Sequence, residues 1–289
     1  MSLTPSGERA SLVSVIPVCI QYGCKQPYMT RSIPPSLAPV IEQLELEDAR
    51  LVTTDHLAAI LDEFEVRTAP RTVATRLRDR GWLLATGERG VWEFAPGALA
   101  GAHSRSGPTR LLRAAIARGN VTCALTFQAA GWATGAADRV PSRLEVAAAT
   151  AGDARRLPEG LDVSVFAPRV DPTETKGVPV LRPASVLAHM AAAPGRVRAW
   201  SSALEWLPEL AGEAELDEAL VELRGRPATV AARLGYLLQG LRPDIAERIE
   251  PPATKTWFGP RGTLVRHDNR WLVADTLLPF DPRTLPATT

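Results

Sequence analysis

Between residues 67 and 80 the chain sets five arginines (Arg67, Arg71, Arg76, Arg78, Arg80) against one acid, Asp79, with Thr68, Thr72 and Thr75 threaded among them. Guanidinium forks match the paired oxygens of phosphates and the edge of guanine, and threonine hydroxyls are small enough to approach either. Such residues recognise nucleic acid; they do not make or break bonds. The basic run continues through Arg89, Arg105, Arg110, Arg113 and Arg118, so that residues 67–120 hold ten arginines against Asp79, Glu88 and Glu93. Residues 42–65 are the opposite, with eight carboxylates against Arg50. A formal net charge of only +1 hides this polarity, so any attraction to DNA must be local.

Bond-making chemistry needs other residues at other spacings, and these are missing. The four histidines (His56, His103, His189, His267) are dispersed and form no metal-binding spacing. There is no Walker glycine loop, no GxGxxG and no GxSxG elbow. Arg266-His267-Asp268-Asn269-Arg270 lies between two strand-like runs and reads as turn chemistry. Gly259-Pro260-Arg261-Gly262 reads as a hairpin turn, and His189 as a packing residue. Cys123 reads as a buried structural thiol, without a neighbouring base to activate it. No catalytic residue, metal ligand or cofactor is assigned, and a regulator is favoured over an enzyme.

The basic residues need a scaffold. Hydrophobic residues make up 45% of the 289 and charged residues 22%, a globular composition with enough apolar surface for a core. Leu37, Val40, Ile41 and Leu44 form one helical stripe, with Ser36 placed as its cap. Leu57, Ile60, Leu61 and Phe64 form a second, with Thr53 or Thr54 placed to cap and Asp55 in the first turn. A third helix starts near Thr68 with Pro70 in its first turn, buries Val73 and Leu77, and ends at Gly81. Stepping about 100° per residue from Val73, Arg71, Thr75 and Arg78 fall opposite the buried pair, with Thr72 and Arg76 on the flank. Trp82–Leu84 and Val91–Phe94, joined by Thr86-Gly87-Glu88-Arg89-Gly90, read as a hairpin. Three helices and a hairpin in this order predict a winged helix-turn-helix at residues 36–97, its third helix entering the major groove of double-stranded DNA.

Residues 1–35 read as an irregular tail: the apolar run Leu12–Ile20 is broken by Ser14 and Pro17 and is too short for a membrane helix. Residues 98–107, rich in Gly, Ala and Ser, read as a linker. Residues 108–289 mix helices (111–116, 122–130, 183–190, 200–210, 216–223, 229–241) with strands (144–148, 163–167, 178–181, 255–258, 263–266, 270–274), which predicts a larger mixed α/β domain. The fold class is therefore α+β. Cys19, Cys24 and Cys123 suggest no disulfide scaffold and fit a reducing cytoplasm, with no membrane partner.

The segment from Thr72-Val73-Ala74-Thr75-Arg76-Leu77 to Gly81-Trp82-Leu83, and on to Gly90-Val91-Trp92-Glu93-Phe94, resembles the N-terminal domain of AbiEi-type antitoxins, the mycobacterial members most. Thr122-Cys123-Ala124-Leu125 closing at Gly131, the run Gly177–Ala184, and Arg233-Leu234-Gly235-Tyr236-Leu237-Leu238 resemble that family's second domain. The likeness extends over residues 36–275. It implies a repressor of its own operon that binds promoter repeats and counteracts a nucleotidyltransferase-like toxin of the AbiEii type. The DNA-binding residues expected are Arg67, Thr68, Arg71, Thr72, Thr75, Arg76, Arg78, Arg89, Arg105, Arg110 and Arg113. The alternative is a ligand-gated winged-helix regulator with a metabolite-binding C-terminal domain.

Overall fold

The computed structural model describes residues 33–97, 107–119 and 121–288, so the expectations for residues 1–32, for most of the linker and for Arg105 lie outside it. In the first unit a 3-10 turn, Pro35–Leu37, leads into α1 (Ala38–Leu46), β1 (Leu51–Thr53), α2 (Thr54–Glu63), α3 (Pro70–Asp79), β2 (Leu83–Ala85) and β3 (Val91–Phe94). Ser36 does not cap α1; it lies within the 3-10 turn, and no side chain caps the helix. At α2 the Thr53 hydroxyl accepts from the His56 amide at 3.1 Å, so of the two threonines Thr53 is the cap. The N-terminus of α3 starts at Pro70, whose fixed φ suits the first helical position and whose missing N–H would have no partner there. Gly81 leaves this helix at φ +77°, in the left-handed region that glycine enters without strain.

Most of the residues foreseen from spacing are buried: Val40, Ile41 and Leu44 on α1, Leu57, Ile60 and Leu61 on α2, and Val73 and Leu77 on α3, joined by Ala74. Phe64, expected on the second stripe, lies just past the end of α2 and is exposed. They share one core with Trp82 and Phe94, whose rings stack at 6.4 Å. β2 and β3 pair antiparallel, Leu83 opposite Phe94. An unforeseen strand, β1, pairs with the other edge of β3 and gives the sheet order β1-β3-β2. Three residues between two helices carry no period to read, yet Val52 is fully buried.

The second unit runs α4 (Arg110–Ala117), β4 (Cys123–Leu125), α5 (Phe127–Thr134), β5 (Glu145–Ala148), α6 (Ala151–Arg156), β6 (Asp162–Val165), β7 (Thr173–Thr175), β8 (Val178–Val180) and α7 (Pro183–Ala192). There follow α8 (Trp200–Ala203), α9 (Leu207–Gly212), α10 (Leu216–Leu223), α11 (Ala228–Leu238), α12 (Pro243–Arg248), β9 (Thr256–Phe258), β10 (Arg266–Asp268) and β11 (Val273–Asp275). A mixed five-stranded sheet has the order β6-β5-β4-β8-β7, and a three-stranded one the order β10-β11-β9. Both enter a single core built on α7 and α11, separate from that of the first unit. The architecture is mixed α+β, as expected.

Several boundaries differ from expectation for identifiable reasons. Residues 122–130 are not one helix: Cys123–Leu125 is a strand buried on both faces, whose unbroken apolar run has no readable period. Phe127, at φ +47°, turns the chain from β4 into α5. Residues 200–210 form two short helices, with Pro208 opening the second. The strand expected at 263–266 starts only at Arg266. Gly259–Gly262 is not a hairpin turn, because the strands it joins, β9 and β10, lie on opposite sides of β11 and do not pair. The most specific motif of the second half has a packing reason: a Cβ on Gly235 would lie 2.2 Å from the Trp271 ring, so glycine lets that indole seat against α11. Next to it the Tyr236 hydroxyl donates to Asp275, and Arg233 donates to the carbonyl of Trp257.

Candidate nucleic-acid interface

Along α3, Arg71, Thr72, Thr75, Arg76 and Arg78 are all exposed, opposite Val73, Ala74 and Leu77; Arg67 is exposed just before the helix and Thr68 is half-buried. The Thr75 hydroxyl donates to the Arg71 carbonyl at 3.0 Å, and Arg78 pairs with Asp79 at 3.1 Å. Arg71, Arg76 and Arg67 form no ion pair among the described residues. The hairpin tip lies beside this helix. Gly87 and Gly90 have φ of +91° and +80°, which lets the loop turn tightly enough to present Arg89. A Cβ on Gly90 would meet the Thr54 hydroxyl at 2.9 Å, and the Thr54 amide donates to the Gly90 carbonyl at 3.0 Å. The tip is thereby fastened to the first turn of α2.

These elements enclose a cleft of about 300 Å³ lined by Thr53, Thr54, Asp55, Arg71, Arg89 and Arg118, among others. Three guanidiniums reach it from three different elements: α3, the hairpin tip and the C-terminal end of α4. A second cavity, of about 490 Å³, shares Arg118 and adds Arg155 and Arg156 from the last turn of α6. Sequence reasoning assigned no role to Arg155 and Arg156. They stand far from the basic run along the chain, and only the parallel pairing of β5 with β6, which α6 connects, carries them to its side.

Two expected residues have other duties. Arg113 is buried, its guanidinium donating to the carbonyl of Lys176 and packed on Gly177, so it has no face to offer DNA. Burial also holds its pKa below the ordinary arginine value. Arg110 is half-buried and donates to the Ala85 carbonyl at 3.0 Å, tying α4 to β2. Periodicity does not show this: at about 100° per residue Arg113 falls off the stripe of Leu111, Leu112, Ala115 and Ile116, and it is buried by the Lys176–Gly177 loop. Arg118 pairs with Glu88 at 2.8 Å, a second tie between α4 and the hairpin.

Elsewhere His189, Cys123 and Asp268 are engaged within the fold. The ring of His189 lies between those of Phe127 and Phe166, centroids 4.4 and 4.3 Å away, and bonds to the hydroxyls of Thr126 and Ser164. Burial, with Arg226 and Arg196 nearby, pushes its pKa down to about 3, so it is neutral. Cys123 is pushed up to about 11 by burial and by Asp153, which leaves a protonated thiol of little reactivity. The segment read as a turn is one only from Asn269, because Arg266–Asp268 is strand β10, paired with β11; its Asp268 accepts from the Trp271 amide and from Gln239. Among the described residues no helix is long and apolar enough to cross a membrane, and no three His, Cys, Asp or Glu residues are grouped to hold a metal ion.

Residues 120–240 match the model of the AbiEi antitoxin C-terminal domain, and the three segments whose resemblance was read in the second half lie within that span. A similar solved structure is the crystal structure of the RV2827C protein from Mycobacterium tuberculosis. It is 24% identical, covers 87% of this chain and 95% of its own, and superposes with a TM-score of 0.69. That likeness shows the fold. No curated protein sequence matches the chain.

Proposed function

We propose that the first unit is a winged helix-turn-helix that binds double-stranded DNA, and that the chain is a repressor of its own operon and the antitoxin of a toxin–antitoxin pair. One observation carries the DNA reading: Arg71, Thr72, Thr75, Arg76 and Arg78 line the exposed side of α3 beside a glycine-hinged tip bearing Arg89. An α-helix fits the major groove, and forks and hydroxyls on its outer face can reach base edges while the hairpin follows the backbone. Arg67, Thr68 and Arg118 would add phosphate contacts; Arg110 and Arg113 are withdrawn from the set. The antitoxin half rests on the domain match at 120–240; that the toxin is a nucleotidyltransferase-like enzyme is what the resemblance to AbiEi-type antitoxins implies. A cytoplasmic site of action follows from that role.

The test has two arms. A mobility-shift titration with the gene's own upstream region should give a complex that withstands unrelated competitor DNA. Co-expression with the neighbouring reading frame should restore growth that this frame alone suppresses. Failure of the first arm rejects the repressor, and failure of the second rejects the antitoxin.

A further inference from the structure

On the second unit, away from α3 and the hairpin, a cavity of about 170 Å³ is lined by Gln128, Arg139, Glu145, Val197, Arg198, Ser202, Glu205 and Trp206, with Ala199. Its floor is unusual. Glu145 is 4% exposed, and its carboxylate accepts from the Ala129 amide in the first turn of α5 at 3.1 Å. The Thr126 hydroxyl bonds to His189 instead of capping that helix, so the glutamate takes over the task. A neutral amide or a hydroxyl would cap as well without bringing a charge out of water. Among the described residues no cationic side chain pairs with Glu145: Arg198, which also lines the cavity, is held by Asp162 at 2.6 Å. The cavity thus has a desolvated acceptor below, an apolar wall of Val197 and Trp206, and Arg139 and Arg198 at an exposed rim.

We propose that this cavity binds a small zwitterion of the α-amino-acid class, its ammonium on Glu145 and its carboxylate between Arg139 and Arg198. Size permits it, since at about 30 Å³ per water the space holds roughly five or six waters, room enough for glycine, alanine or serine. Charge placement agrees too, because a cation at the floor compensates a carboxylate that otherwise stands unneutralised in a region of low dielectric. Burial, with Asp162 nearby, raises Glu145 to about 7, and an ammonium there would bring it back toward ordinary carboxylate values. Glu205 at the rim is the other carboxylate lining the cavity, and it disfavours purely anionic ligands.

The site is independent of whether the first unit grips DNA, so it is tested by direct titration. Full-length protein at pH 8 is titrated calorimetrically with glycine, alanine and serine, and with acetate and methylammonium as half-ligands. At least one amino acid should bind ten-fold or more tightly than either half-ligand. Glu145→Gln, which keeps an acceptor for the Ala129 amide, and Arg139→Ala, at the rim, should each weaken binding ten-fold or more with circular dichroism unchanged. No binding by any amino acid, binding unchanged in both variants, or either half-ligand binding as tightly as the amino acids would overturn the proposal.

Discussion

Two displaced titratable groups of the second unit, His189 and Glu145, should cancel in the intact protein and be exposed only by substitution. His189 has a folded pKa of about 3 against an ordinary 6.5. Its neutral form is the folded one, so its contribution is full above about pH 6.5 and is lost as pH falls through that value towards 3. Glu145 has a folded pKa of about 7 against an ordinary 4.5. Its protonated form is the folded one, so its penalty is absent below about pH 4.5 and grows as pH rises to 7. At 1.36 kcal/mol per unit, going from pH 7 to pH 5 costs about 2 kcal/mol through His189 and returns about 2 kcal/mol through Glu145. Urea denaturation of ligand-free protein at pH 5, 6 and 7 should therefore show little net contribution from this pair. His189→Gln, which can still bond to Thr126 or Ser164, should gain about 2 kcal/mol relative to wild type between pH 7 and 5. Glu145→Gln should lose about as much over the same window. If both variants track the wild-type curve, the burial argument for these two sites is wrong.

Other consequences reach further from that core. Gly235→Ala should lower Tm by roughly 6–12 °C: its Cβ has no room beside Trp271, and overpacking of this severity costs on the order of 3 kcal/mol. A fragment of residues 107–289 should be less soluble and less stable than an independent domain would be, because it loses the β1–β3 face on which α4 rests and the Arg110 bond to Ala85. Analytical centrifugation and thermal melting would show this, and a fragment as stable as the intact chain would count against coupled units. Arg118→Ala should lessen the slope of log affinity against log salt by about 0.9, one phosphate's worth, leaving sequence preference intact. An unchanged slope would remove the α4 end from the interface.

The first unit was largely legible because its elements are amphipathic and punctuated. Val73 and Leu77 set the face of α3, Thr53 and Pro70 mark helix starts, and Gly81, Gly87 and Gly90 mark turns, so the exposed arginines followed from angle alone. What stayed hidden was non-local. β1 is three residues long and is a strand only because β3 lies beside it. β4 is apolar throughout, and the helix expected there ignored the positive φ that Phe127 adopts. Arg113 was misplaced because charge was counted along the chain, whereas its burial depends on a loop at Lys176 more than sixty residues away. Arg155 and Arg156 reach the basic side only through sheet pairing, and the Glu145 cavity is assembled from four separate stretches.

The central claim is that the outer face of α3 reads DNA. Fluorescence anisotropy with a labelled duplex from the gene's own upstream region, against an unrelated duplex of equal length and at fixed salt, tests it most directly. Arg71→Ala and Arg76→Ala should each cost on the order of 1–3 kcal/mol where they contact a base, narrowing the gap between the two duplexes while the melting curve stays unchanged. Equal binding of both duplexes by wild type, or the same affinity in the folded variants, would contradict the account.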